Sequence, residues 1–291
     1  MNLEEYIKEN TATFDTFLQD FLSNNLTNNS AKLIEAMNYS LLNGGKRIRP
    51  LLVMACAQNL DVKKEYYMNV ALAVEFVHTY SLIHDDIMDD DDFRRGQLAT
   101  HKKFDISTAM LAGNSLLTWA FQILSDESTH PNAEVRNYLT SFLSSSSGHI
   151  GLAYGQSLDL EYQSGSKNTD YQEILKIHDL KTARLFKFCV RAPFILYDPE
   201  IISDNQKTEY LDIFGTNFGL IFQATDDLLD YRDLENNEVP STVNIMSYKR
   251  NDEVINYCEK LANDALISLK NLKIDNKILT ELIRFIIIRK S

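Results

Sequence analysis

Residues 72–92 read LAVEFVHTYSLIHDDIMDDDD, and the first half of that run settles the class of fold. Leu72, Phe76, Val77, Tyr80 and Ile83 recur at the spacing that lines one face of an α-helix. Leu33, Met37 and Leu41 repeat the pattern upstream. Strict alternation, the mark of a half-buried strand, is hard to find. Only 10 glycines and 5 prolines occur in 291 residues, so little interrupts long helices. Turn formers gather at Asn43-Gly44-Gly45, Asp126–Pro131, Gln163–Asp170, Asp198-Pro199 and Arg232–Ser241, with segments of helical length between them. There is no Ser/Gly linker, low-complexity tract or solenoid period. The expectation is an all-α protein with residues 1–291 forming a single domain.

The second half of the run carries the chemistry. Asp85–Asp92 holds six aspartates in eight positions, which taken alone reads as a solvated acidic loop or helix end before it reads as a site. A second cluster, Thr225–Asp230 (TDDLLD), echoes His84–Asp89 (HDDIMD) within equally apolar helical sequence. On a helix the first and third aspartates share a face, so Asp85/Asp89 and Asp226/Asp230 each present two carboxylates together. Carboxylates so close repel, and two such clusters make sense when cations sit between them. Mg²⁺, which takes oxygen ligands from one or two carboxylates plus phosphates and waters, is the natural candidate. An EF-hand is a poor match, because a loop begun at Asp85 or Asp89 lacks the central glycine and the closing glutamate.

Basic and polar residues supply partners. Gly44-Gly45-Lys46-Arg47-Ile48-Arg49-Pro50 puts three cations after a flexible turn, with the proline suited to open a helix at its first position. The segment fits a diphosphate grip or a plain helix entry. It is not a Walker A loop, since GxxxxGK[ST] is absent. Arg94 and Arg95 follow the first cluster, where guanidinium donors would meet metal-bound phosphate. His78 stands two helical turns before Asp85. Lys181-Thr182 and Gln223 interrupt apolar helix faces with polar groups that need partners.

The formal charge of −12, from 41 acidic and 29 basic side chains, argues against a general nucleic-acid binder. Cys56, Cys189 and Cys258 form no CxxC pattern, which points away from disulfides and zinc and toward a reducing cytoplasm. The N-terminus lacks an apolar signal core, and no run approaches the roughly 18 apolar residues of a membrane span, so a soluble, unprocessed chain is expected.

Taken in order, GGKRIRP, HTYSLIHDDIMDDDDFRRG, GQSLDL, the KT of HDLKTARLF and FQATDDLLD resemble the trans-polyprenyl diphosphate synthase family, the farnesyl and geranylgeranyl diphosphate synthases. The resemblance runs from about Leu33 to Asp230. It implies an isoprenoid synthase-like helical bundle around a central cavity, homodimeric, with the two aspartate motifs facing each other across its mouth. It implies Asp85, Asp86, Asp89, Asp226 and Asp230 as positions for Mg²⁺, three ions bound with substrate diphosphate, and Asp227 as a further catalytic position. By the same carry-over Lys46, Arg49, His78 and Arg95 form the isopentenyl diphosphate site. Arg94, Lys181, Thr182 and Gln223 contact the allylic substrate, and Arg47 adds to the anion field. The implied reaction is head-to-tail condensation: loss of diphosphate from the allylic substrate, attack by the isopentenyl double bond, then proton loss.

Family members set product length by bulk four and five residues before the first motif, here Ser81 and Tyr80, which implies a C15 to C20 product. The chain departs from the family after Asp230, where YRDLENNEVPSTVNIMSYKR offers no lysine before Lys249. A terpene cyclase on the same bundle would mix Asn/Asp, Ser/Thr and Glu in its second metal motif, unlike the DDLLD of Asp226–Asp230. A non-catalytic subunit of a heteromeric synthase would fail to condense substrates at any Mg²⁺ concentration.

Overall fold

The computed structural model describes residues 2–26, 31–165, 170–233, 243–274 and 277–288. Among them the regular structure is helical, mostly α with a π turn and short 3₁₀ turns, apart from one two-stranded hairpin. The chain divides into two compact units, residues 1–140 and 141–291. The division falls within α7 (Ala133–Ser147), counting helices from the N-terminus.

In the first unit α1 (Leu3–Asn25) opens with a capping box between Asn2 and Glu5 and buries Tyr6, Asn10, Phe14, Leu18 and Leu22, one residue per turn. α2 (Lys32–Leu42) and α3 (Ile48–Gln58) follow. α3 begins at Ile48, so Pro50 is its third residue, still in the turn where an N–H has no intrahelical acceptor. α4 (Lys64–Met88) is buried without interruption from Tyr67 to Val77, the pattern of a helix with neighbours on all sides. It packs on α3 and on α6 (Ile106–Ser125), and Phe76 meets Phe21 and Trp119 edge-to-face while those two rings pack at a tilt.

The hairpin follows α4. β1 (Phe93–Arg94) pairs with β2 (Gln97–Leu98) around Arg95-Gly96. Both turn residues are left-handed, φ 54° and 75°, which is the type I′ geometry that suits a two-residue hairpin. Short α5 (Thr100–Lys103) leads into α6, whose N-cap Asp105 accepts from the Thr108 amide.

The second unit continues from α7 with α8 (Leu152–Gln163) and α9 (Tyr171–His178). A π-helical turn, Asp179–Ala183, inserts before α10 (Arg184–Tyr197). α11 (Asn205–Asp233) packs along α10 and α12 (Asn251–Asn271), and α13 (Lys277–Ile288) completes the unit. Phe186, Phe214, Phe218 and Phe222 pack ring on ring between α10 and α11.

Helices end at the Asn43 turn and before Asp126, Ser164 and Asp198, as turn chemistry predicts. α11 is described to Asp233, so the first two residues of the break expected at Arg232–Ser241 are still helix; residues 234–242 lie outside the described residues, and beyond them Lys249 pairs with Glu253 at 3.4 Å.

Candidate active site

The first cluster closes α4. Asp85 and Asp86 lie in its last turn and Asp89 is its C-cap, with the Asp89 amide still donating to the Asp85 carbonyl at 2.9 Å. Carboxylates here meet the negative end of the helix dipole, and no basic residue lies in the last turn to offset it. Asp85 is half-buried and Asp89 exposed. Asp86 is buried and accepts from Arg94, Nε at 2.7 Å and Nη2 closer still. Burial pushes its pKa up while the guanidinium pulls it back. The following aspartates are paired as well: Asp90 and Asp92 with Lys102 at 2.8 and 3.0 Å, and Asp91 with the same Arg94 at 3.1 Å.

Nearby, the Gly44–Arg49 segment turns sharply. Gly44 and Gly45 hold φ of 69° and 126°, and the Arg95 guanidinium lies across them, Nη1 donating to the Gly44 carbonyl. A Cβ at Gly45 would overlap that guanidinium, so the glycines serve both the turn and the approach. Lys46 is exposed and Arg49 half-buried, whereas Arg47 is buried and its guanidinium donates to Asp15 and Glu75. His78 on α4 feels Arg49, Arg95, Arg47 and Arg94. Its low-dielectric surroundings, and then these cations, hold its pKa well below the usual histidine range. An imidazole kept neutral among guanidinium groups suits a site for an anion.

Tyr80 sits edge-on to His84, ring centres 5.0 Å apart, and burial raises its pKa. Ser81 is buried and donates to the His78 carbonyl. His84 in turn lies against Gly113 of α6, where a Cβ would overlap the imidazole.

In the second unit the other cluster lies near the end of α11 and repeats the pattern: Asp226 half-buried, Asp227 buried, Asp230 exposed. Asp227 Oδ1 accepts from Gln223 Nε2 at 2.9 Å, and Oδ2 accepts from the Ile245 amide at 2.7 Å and lies 3.3 Å from His178 Nε2. Thr182 Oγ1 donates to Gln223 Oε1 at 2.7 Å. The result is one chain of polar contacts from Thr182 through Gln223 to Asp227.

Thr182 and Lys181 occupy the π turn, and small residues let neighbours crowd it. A Cβ at Gly155 of α8 would fall 2.5 Å from the Lys181 amide nitrogen and 2.8 Å from its Cα, while one at Gly219 of α11 would overlap Ala183. Lys181 Nζ pairs at 2.5 Å with Asp159, buried on α8. Asp159, Lys181, Thr182, Gln223, Asp227 and Asp230 all line one cavity of about 180 Å³.

Among the described residues no three His, Cys, Asp or Glu side chains converge to hold a cation unaided. Each cluster instead offers an outer pair, Asp85/Asp89 or Asp226/Asp230, from a donor set of carboxylate oxygen only. That fits Mg²⁺, which is held by one or two carboxylates with phosphates and waters completing its octahedron. Glu75, Asp159 and His178 were not singled out by the sequence. Of the three, only Asp159 carried a signal, as the acidic residue of GQSLDL.

Residues 30–240 match the family model for polyprenyl synthetases. The farnesyl diphosphate synthase of Micrococcus luteus is 38% identical over 95% of this chain and 98% of that protein. Among solved structures, an FPP/GFPP synthase from Zymomonas mobilis superposes with a TM-score of 0.87 at 31% identity, covering 98% of this chain and 99% of that one. A geranyltransferase from Legionella pneumophila gives 0.86 at 30%, with 98% and 96% covered.

Proposed function

We propose that this chain, which belongs to the polyprenyl synthetase family, condenses isopentenyl diphosphate head to tail with an allylic diphosphate, giving a short-chain prenyl diphosphate of C15 to C20. The observation that carries the reading is the shared pattern of the two aspartate clusters, in which the middle residue is buried and hydrogen-bonded while the first is half-buried and the last exposed. The reading takes residues 1–291 as one catalytic domain working as a homodimer in the cytoplasm. In support, Cys56, Cys189 and Cys258 are buried free thiols, and no described helix is long and apolar enough to cross a membrane.

Mg²⁺ held by Asp85, Asp89, Asp226 and Asp230 would supply the positive charge that a departing diphosphate needs. Lys181 orients the allylic diphosphate as a point charge, and Arg94, already fixed on Asp86, adds a planar donor. Thr182 commits its only proton to Gln223, so its oxygen faces a developing allylic cation with lone pairs alone. Gln223 is held against rotation by Asp227. Lys46, Arg49, His78 and Arg95 bind the isopentenyl diphosphate, His78 doing so as a neutral donor. Asp86 belongs with Asp227 as an organising residue more than as a metal ligand.

The test is direct. Purified protein with Mg²⁺, geranyl or dimethylallyl diphosphate and isopentenyl diphosphate should form prenyl diphosphates measured by mass spectrometry. A hydrocarbon made from the allylic substrate alone, or no product at any Mg²⁺ concentration, would overturn the reading.

A further inference from the structure

Arg47 lies between two residues assigned to anion binding, Lys46 and Arg49, yet it is buried. Its backbone is left-handed, φ 50°, at the N-cap of α3, a conformation unfavourable for a residue with a Cβ. Such a position persists when the surroundings fix it. Here the side chain does so: Nε donates to Asp15 of α1 at 2.9 Å, Nη1 to Glu75 of α4 at 2.5 Å, and Nη2 to the Leu41 carbonyl at the end of α2 at 2.8 Å. One guanidinium thus ties three helices to the turn that precedes a fourth.

The choice of residues points beyond stability. A buried ion pair is a weak source of stability, and apolar side chains of similar size often serve as well. What the fork of an arginine supplies is geometry, because its donors lie in one rigid plane. Glu75, also buried, lies three residues before His78 on α4, so both project from one face. Clamping Arg47 on Glu75 therefore sets the register between the Gly44–Arg49 turn and His78.

We propose that Arg47 is a positioning residue for the isopentenyl diphosphate site, holding Lys46 and Arg49 in register with His78 through Glu75. The role rests on the condensation reading above, and it predicts an effect confined to one substrate.

The experiment compares wild type with Arg47→Met, Arg47→Lys and Glu75→Gln, and with Arg191→Met, which removes an ion pair to Asp212 in the second unit. Circular dichroism and thermal melts check folding. Arg47→Met should raise the KM for isopentenyl diphosphate tenfold or more, with kcat and the allylic KM changed less than threefold. Glu75→Gln should shift the same constant in the same direction, and Arg47→Lys should fall between. Arg191→Met should lower Tm with no such split. If Arg47→Met does not fold, Glu75→Gln and Arg47→Lys decide. Folded variants whose two KM values stay unchanged, or rise together, would remove the positioning role. A wild-type enzyme that forms no condensation product would instead remove the reading on which it rests.

Discussion

Lys181 and Asp159 form an ion pair of 2.5 Å in which the carboxylate is buried and the ammonium faces the cavity. Asp159 also accepts from Gln163 at 2.9 Å, so it is a fixed anchor. The lysine is therefore placed before a substrate arrives, which lowers the cost of ordering it on binding. Asp159→Asn keeps the shape and removes the charge. Losing one charge-assisted hydrogen bond costs about 1.5–3 kcal/mol. Steady-state kinetics with the allylic substrate varied should show kcat/KM reduced roughly 10- to 100-fold.

Asp227 and Asp230 should separate stability from activity. Asp227 is buried and holds Gln223 and the Ile245 amide, so Asp227→Asn forces an amide nitrogen toward one donor. A buried donor left unpaired costs about 1–3 kcal/mol, and Tm should fall without Mg²⁺ present. Asp230 is exposed, where a polar contact contributes little, so Asp230→Asn should shift that melt less than Asp227→Asn does while raising the Mg²⁺ concentration needed for half-maximal activity. Equal melts for the two variants would contradict the division of roles.

What the sequence disclosed here was whatever is written locally. Turn formers at Asn43–Gly45 and around Asp198 mark helix ends, and the i, i+4 spacing of the aspartates fixes which carboxylates share a face. Which aspartate of each cluster turns inward is not set by the helix spacing: it depends on Arg94 in the hairpin that follows α4 and on the amide of Ile245, in a 3₁₀ turn 18 residues beyond Asp227. Arg47–Glu75 and Lys181–Asp159 join residues 28 and 22 positions apart with no signature in between. The Arg95-Gly96 turn escaped because its first residue is not the usual asparagine or aspartate. The π turn leaves no compositional trace at all.

Tyr80 stands five residues before Asp85, propped on the His84 ring that Gly113 admits. On the condensation reading its ring is the bulk that a growing chain would meet. Tyr80→Ala should shift the products to longer prenyl chains, read by mass spectrometry. An unchanged distribution would take Tyr80 out of length control.

His78 should make stability fall on mild acidification. Its pKa in the folded state is lowered from 6.5, so below that pH the unfolded chain binds a proton that the folded chain refuses. Stability is then lost as pH falls from about 6.5 toward the folded value, by at most about 1.4 kcal/mol per pH unit. His78→Gln cannot titrate, so its Tm should decline less between about pH 6.5 and 5. Wild type and variant losing Tm in parallel would mean that His78 protonates freely in the folded state.

Gly155 and Gly219 make the last prediction, because they bear on the π turn itself. A π turn inserts one residue into a helix and is retained mainly at functional sites. This one carries Lys181 and Thr182, and the two glycines let α8 and α11 press on it. In an exposed helix Gly→Ala would add up to about 1 kcal/mol of stability. At Gly155 the new Cβ would sit 2.5 Å from the Lys181 amide nitrogen, which is backbone and cannot rotate aside. The turn would have to shift, taking Lys181 from Asp159 and Thr182 from Gln223. Gly155→Ala should therefore lower kcat by tenfold or more despite its better helix propensity, while Gly165→Ala, whose Cβ meets nothing within 4 Å but whose φ of 70° strains any side chain, should cost stability and spare kcat. Rates and melts for the pair would test whether crowding at the π turn, and not glycine loss as such, controls turnover.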